Sequence, residues 1–381
     1  MKSSKFANLL TRLMPFIRIF LGLIFIFSSV VKGVDPVGTS YRVEDYLLVY
    51  GWTSLVPYAM WIGFLVIVSE FLLGVGFLFN IFIRTASRVM FLMLLFFLVV
   101  TWLDARYNMV SDCGCFGDAV KLTNWQTFYK NIILIFLNIL FLWGMGKRKR
   151  RKPKFLPQVL VLAFLGAGFI GFMLYNLNHL PVIDFRNWKT GRDMTTDTTL
   201  KAKTFVTYQN KTTGKKKEFL FPDYPWKDST WRAHWTFVSR RTVAPAVVAK
   251  YNLVVEDSLG NDRTKAIVEN PGFQFILVSY DMNRADPGGL KKAATLSGFL
   301  NKKGISMVLF TATDLKTVRT IEKQYGLRVP VFQADETDLK AMIRSNPGLL
   351  LLHHGVILKK WHYHDFPAIG QVKKVLISPE Q

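Results

Sequence analysis

Five apolar blocks, all before residue 178, constrain this chain more than anything else in it. They run from about Met14 to Val34, Met60 to Ile83, Val89 to Leu103, Phe128 to Met145 and Phe155 to Leu177. Most approach the ~20 residues that a helix needs to cross a bilayer. The third is the shortest at its strictly apolar centre, MFLMLLFFLVVTWL. No comparable run follows Leu177. Lys2, Lys5 and Arg12 precede the first block as in a signal peptide. The block is long, however, Arg18 interrupts its start, and the following VVKGVDPVG lacks a small-x-small cleavage pattern. A retained helix is expected.

Five spans sort the basic residues by side. With the N-terminus on the cytoplasmic side, that side holds Lys2, Lys5, Arg12, Arg84, Arg88 and the run KRKRRKPK at 147–154. The opposite side of the membrane half holds only Lys32, Arg42, Arg106, Lys121 and Lys130. This is the asymmetry of the positive-inside rule, and dropping any one span would break it. The expectation is a bacterial inner-membrane protein with a cytoplasmic N-terminus. Its fifth helix then delivers everything from Asn178 onward to the periplasm.

The formal net charge of +23 is spread along the chain: residues before 178 carry 18 basic and 7 acidic side chains, the remainder 31 and 19. Topology accounts for the first group, with KRKRRKPK as a stop signal touching anionic lipid. No nucleic-acid recognition motif accompanies the charge, and the bilayer is the expected partner.

Cys113 and Cys115 are the only cysteines, set in SDCGCFGD between the third and fourth blocks. By the topology above they lie on the outer face, in a compartment that permits disulfides. Gly114 between them allows backbone angles that a side chain would forbid, so the two thiols can exchange a disulfide within one loop. The ring closed by a one-residue separation is tight. Strain of that kind raises the reduction potential and favours a labile bond. Arg106, Lys121 and Lys130 are candidates for lowering the thiol pKa values, with Asp112 and Asp118 opposing them. Two other readings stay open, a static loop clasp and a metal site. Zinc would need two further ligands, and the membrane half has no His. Glu70, in VIVSEFLLG, is a carboxyl at membrane depth, where such groups face a bundle interior or polar cavity. It is a candidate proton relay or quinone contact together with Arg106, or else a structural hydrogen-bond partner of Arg18 or Ser69.

RIFLGLIFIFSSVVKGVDPVGT, SEFLLGVGFLF and DCGCFGDAVKLTNWQTFYKN occur in that order, and this succession resembles the DoxX-like and MauE-like membrane proteins over roughly residues 14 to 145. The resemblance implies a four-helix bundle with its cysteine motif near the outer face. It also implies a role in disulfide formation in exported proteins, or in quinone-linked sulfur oxidation. The fifth helix and the large outer region depart from the minimal family pattern.

From Phe273 strands and helices alternate: FQFILVSYD, GGLKKAATLSGFLNKKG, ISMVLFTAT, DLKTVRTIEKQYG, VPVFQAD, ETDLKAMIRSN and GLLLLHHGVILKKWHYH. This predicts an α/β domain ending in a hairpin whose turn is His354-Gly355, with 353 opposite 356 and 349 opposite 360. The order resembles a thioredoxin-like domain over 270–381, with Pro347 at the position of the proline turn that binds extended substrates. YDMNRADPGGL stands where a thioredoxin has CxxC, so the domain carries no dithiol of its own. His353, His354, His362 and His364 are expected on strand faces rather than around a metal.

The expected architecture is an α-helical membrane bundle (1–146), a basic loop and fifth transmembrane helix (147–177), a β-rich linker subdomain (178–272) and a thioredoxin-like outer domain (273–381). Within the linker, FVTYQ and KEFLF predict a hairpin around NKTTGKK. The expected function is thiol-disulfide exchange at Cys113 and Cys115, with quinone as a candidate acceptor and a periplasmic thiol protein or envelope molecule as partner. The alternative is a non-enzymatic envelope scaffold with a structural disulfide.

Overall fold

The structure is a computed structural model describing residues 2–110, 114–146, 154–195, 203–220, 225, 228–243 and 253–377. Its N-terminal region contains helices α1 (Lys2–Val34), α2 (Pro36–Val49), α3 (Ala59–Phe79), α4 (Ile83–Tyr107), α5 (Asn124–Gly146) and α6 (Phe155–Asn178). All but α2 are long and apolar enough to cross a membrane. Along α1, Met14, Ile17, Leu21, Phe25, Ser28 and Lys32 form one buried stripe at three- to four-residue spacing. The apolar members of that stripe pack with Phe77 of α3, Met90 and Leu94 of α4, and Leu134 and Phe141 of α5. α6 stands outside this core, resting Phe169 and Met173 on Ile67. The arrangement is the expected four-helix bundle with a fifth helix beside it.

α1 and α3 cross at glycines. A Cβ on Gly74 would lie 2.7 Å from Ile26 Cγ1 and 2.9 Å from its backbone N. Close backbone approach of this kind is how membrane helices gain packing energy without a hydrophobic driving force. Gly74→Val is therefore expected to destabilise the bundle by about 3 kcal/mol through overpacking. Gly168→Val on α6, where a Cβ meets nothing within 4 Å, should leave unfolding in detergent unchanged.

The amide of Phe82, in the α3–α4 turn, donates to Gln158 Oε1 of α6 at 2.7 Å. Asn176 Nδ2, at the far end of α6, donates to Gly33 O at 3.3 Å. The C-terminal half of the chain thus leaves the bundle at the end where α2 and the loop after α4 lie.

A three-stranded sheet follows, built from β1 (Lys203–Asn210), β2 (Lys216–Leu220) and β3 (Trp235–Val243), with the short α7 (Ser229–His234) before β3. β1 and β2 form the hairpin read from the sequence, Phe205 opposite Leu220 and Gln209 opposite Lys216. β3 pairs with the other edge of β1, Lys203 opposite Val243. The sequence reading contained no such strand.

The C-terminal domain has α8 (Thr264–Val268), β4 (Phe273–Val278), α9 (Pro287–Lys302), β5 (Ser306–Thr311), α10 (Leu315–Tyr325), β6 (Val331–Gln333), α11 (Glu336–Met342), β7 (Gly348–His353), β8 (Val356–His362) and α12 (Ile369–Ile377). Its sheet order is β6-β5-β4-β7-β8, with β4, β5 and β6 parallel and β7 and β8 antiparallel. A βαβ unit followed by a β-hairpin and a helix, with a cis peptide between Asn346 and Pro347 just before the hairpin, is the thioredoxin-like arrangement. Each central strand is buried on both faces. Phe275, Leu277, Leu349 and Leu351 face α9, whereas Ile276, Val278, Leu350 and Leu352 face the opposite layer.

That opposite layer corrects the boundary expected at residue 272. Trp188, Met194, Leu253, Val255 and Ile267 pack in it beside Leu339 and Met342. Glu256 exchanges backbone hydrogen bonds with Gln333 at 2.8 and 2.9 Å. Residues 178–195 and 253–272 therefore belong to the thioredoxin-like core, covering that sheet face together with α11. Only 203–243 forms a separate sheet. The hairpin register also differs from expectation: a bulge between Leu351 and Leu352 places Leu349 opposite Trp361 instead of 360, while His353 stays opposite Val356.

Candidate thiol site at the mouth of the bundle

Cys113 lies outside the described residues. From Gly114 onward the loop turns back on itself, the Gly117 amide donating to Gly114 O at 2.9 Å. Gly114 sits at φ +62°, a left-handed conformation open to glycine. A Cβ there would also lie 3.1 Å from Arg42 Cγ of α2. The loop dips into the bundle mouth, where Ser28 Oγ lies 2.8 Å from Cys115 O. Phe116 packs its ring against Phe27 at 5.4 Å and takes Lys130 Nζ over its face at 4.6 Å.

Beneath the loop is a buried ion pair. Lys32 Nζ donates to Glu70 Oε1 at 2.6 Å, with both side chains under 10% exposed. Ser28 Oγ lies 3.0 Å from Glu70 Oε2. Ser28 has one hydroxyl proton and two acceptors, Glu70 and the Cys115 carbonyl. With Glu70 ionised the hydroxyl must divide between them. Ser28 thus links Glu70 to the backbone at Cys115. Lys32, Glu70, Cys115, Lys130 and Asn131 line one small cavity of about 20 Å³. Asn131 is held by donating to Thr101 Oγ1 at 3.2 Å.

Cys115 and Glu70 are therefore brought together, and Arg106 is not brought to them. It is exposed at the end of α4, with its guanidinium 5.8 Å from the Tyr107 ring. Glu70 is paired with Lys32 and Ser28, in place of the Arg18 or Ser69 considered from sequence. A quinone ring does not fit this cavity, which has room for one water-sized guest, whereas small-molecule pockets span roughly 300–1,000 Å³. Lys32 and Ser28 were missed as site residues. Their signal was present, since they continue the buried stripe of Leu21 and Phe25 at helical spacing.

The thioredoxin-like domain turns its proline edge to this mouth. Asp35 caps α2 by accepting from the Gly38 amide at 2.9 Å, and Arg344 Nε reaches both its carboxylate oxygens at 3.1 and 2.9 Å. Arg344 Nη2 also lies 3.9 Å from Asp118 of the cysteine loop. Burial opposes the Asp35 charge, but Arg344, Arg186 and the Gly38 amide outweigh it and hold the carboxyl below its usual range. The Tyr41 hydroxyl donates to that of Tyr280 at 3.3 Å. Tyr280 opens the turn that follows β4. Asn346 ties that turn to the proline turn, donating from Nδ2 to Asp281 O at 2.7 Å and accepting from Ser279 Oγ at 2.7 Å. Pro347 itself is buried, against the start of α9 at Gly289.

His353 and His354 lie at the hairpin turn, and His362 at the far end of β8. Burial and neighbouring His364 push His362 down to about 4. Among the described residues no three His, Cys, Asp or Glu side chains form a metal-holding group.

Residues 10–144 match the family model described as methylamine utilisation protein MauE. Residues 203–244 match a family described as a domain of unknown function. No curated protein is significantly similar to the chain. Among solved structures it is similar to a putative thioredoxin from Neisseria meningitidis, at 20% identity over 32% of this chain and 83% of that one, with a TM-score of 0.26. It is also similar to the bacterioferritin comigratory protein of Xanthomonas campestris, whose structure was described for alkyl peroxide reduction. That match has 16% identity over 33% of this chain and 87% of the other, with a TM-score of 0.24. The fold of the C-terminal domain is read from its own strand order. The chain is a membrane protein that joins a MauE-like bundle to a thioredoxin-like domain.

Proposed function

We propose that this protein is a bacterial inner-membrane thiol-disulfide oxidoreductase whose Cys113 and Cys115 exchange a disulfide with exported thiols on the periplasmic side. The observation that carries the reading is the sharing of one cavity by Cys115 and the buried Lys32–Glu70 pair. A desolvated ion pair is costly, and this one lies beneath the only cysteine-bearing loop. In the oxidising direction, a substrate thiolate attacks the Cys113–Cys115 bond and forms a mixed disulfide. A second substrate thiolate then displaces the remaining loop sulfur, leaving a substrate disulfide and two loop thiols. The two protons lost by the substrate end on the loop thiols. Lys130, whose ammonium lies over the Phe116 ring next to Cys115, supplies positive potential that favours thiolate. The thioredoxin-like domain covers the loop and contributes no sulfur.

The second reading, an envelope scaffold with a clasped loop, is favoured by the docking of the cysteine-free proline edge onto α2, with Pro347 buried. The reduction potential of the pair separates the two readings, measured by alkylation of purified protein across a glutathione series. A reversible value near or above ~−200 mV is expected for exchange, and resistance to reduction below ~−300 mV would mark a structural disulfide.

A further inference from the structure

The three-stranded sheet takes no part in the cysteine site, yet it concentrates charge. Residues 203–243 carry nine basic and three acidic side chains, half of the net positive charge of the chain beyond residue 177. Lys211, Lys215, Lys216 and Lys217, in the turn between β1 and β2 and at the start of β2, are exposed, as is Arg232 on α7. Aromatic rings gather on the same sheet. Tyr208 of β1 lies opposite Phe237 of β3 with ring centroids 5.7 Å apart. Trp231 of α7 lies 4.8 Å from Tyr208 and stacks on Trp235 at 5.9 Å, while Lys217 Nζ lies 5.2 Å from the centre of the Phe219 ring. Phe237 is 51% exposed. Among the described residues, no side chain of this sheet belongs to the packed cores of the bundle or of the thioredoxin-like domain. We propose that the sheet is a peripheral membrane-contact surface that rests on anionic headgroups of the same bilayer the helices cross.

Charge, ring chemistry and tethering choose that partner. Clustered lysines and arginines are drawn to a surface of anionic lipid. Tryptophan, tyrosine and phenylalanine beside them suit the headgroup level, where one part of a ring meets apolar and another polar surroundings. The core that carries the sheet sits at the outer ends of the helices, held by Arg344 on Asp35 at the start of α2 and by Asp365 on His179 at the end of α6. Residues 196–202 and 244–252 join the sheet to that core, and seven residues span at most about 25 Å. A surface tethered within that distance meets the bilayer at an effective concentration on the order of millimolar. A soluble acidic protein would answer the same charge but has to be recruited from solution.

The test uses full-length protein in nanodiscs of phosphatidylcholine, alone or with phosphatidylglycerol as roughly one lipid in three. Lysines are acetylated briefly and the labelling is read peptide by peptide by mass spectrometry. Labelling of Lys215, Lys216 and Lys217 is expected to fall about fivefold in the phosphatidylglycerol discs, the scale of one lysine held at an anionic surface, and to recover in high salt. Lys302 and Lys303, exposed at the end of α9, should be labelled alike in both discs. Lys215→Gln combined with Lys216→Gln should return Lys217 towards its labelling in neutral discs, and Phe237→Ser should weaken the protection without changing labelling in neutral discs. Equal labelling of the hairpin in the two discs, or an equal fall at Lys302 and Lys303, would overturn the proposal. Protection by added polyglutamate in neutral discs, with none from phosphatidylglycerol, would also overturn it and assign the surface to a soluble acidic partner.

Discussion

Arg344→Met is expected to release the thioredoxin-like domain from the bundle, at a cost of about 3 kcal/mol, because it strands the Asp35 carboxylate among partly buried groups with its strongest partner gone. Hydrogen exchange of the α2 amides should then quicken by about 100-fold. The double variant Arg344→Met with Asp35→Asn should recover most of the protection, since it removes the charge left without a partner. Acid should break the same pair from the other side, by neutralising Asp35. The Asp35 carboxyl is held below its ordinary 3.8, so its contribution is complete above that value and is lost as pH falls through the lower folded one. Wild-type protection should therefore collapse only below about pH 4, while Arg344→Met should regain protection as acid neutralises the stranded Asp35 carboxylate. Unaltered α2 exchange in Arg344→Met would mean that the docking rests on other contacts.

The second large effect lies in the membrane. Lys32→Met removes the one cation bonded to Glu70 among the described residues and leaves a carboxyl buried between helices. A loss of about 3–5 kcal/mol in detergent unfolding is expected. Lys32→Met combined with Glu70→Gln should be far milder, since a neutral amide can still bond to Ser28. If the single and double variants unfold alike, the pair carries no net coupling.

How much of this was legible in the sequence follows from what each kind of signal encodes. Span length and basic asymmetry are one-dimensional, and the five helices emerged from them. Glu70 was legible as a buried carboxyl because depth is also one-dimensional. Its partner was not, because partner choice depends on helix rotation and stagger. Arg18 sits ten residues before Ser28 in the same helix, about 15 Å away along the axis, so it lies at the wrong level. α2 was hidden inside a connection, although Asp35-Pro36 is a cap followed by a proline at the first helical position, a readable start signal. The strands of the C-terminal domain were plain from their apolar runs, but the bulge on β8 cannot be seen in a run of apolar letters. The layer formed by Trp188, Met194 and Val255 was missed for a different reason. These residues are sparse in sequence and find one another only once the sheet exists to be covered.

The three-stranded sheet at 203–243 bears on how this chain tolerates change. Its first and last residues, Lys203 and Val243, are paired across neighbouring strands, so the sheet begins and ends at adjacent backbone points. For the layered core the insertion is equivalent to a closed loop of whatever length, and the core's strand order is indifferent to what is mounted on that stem. Insertions of this geometry are the ones that chains accept, lose and exchange most readily. The surface presented by the sheet can therefore diversify from one homologue to the next while the cysteine loop, the Lys32–Glu70 pair and the docked domain stay fixed.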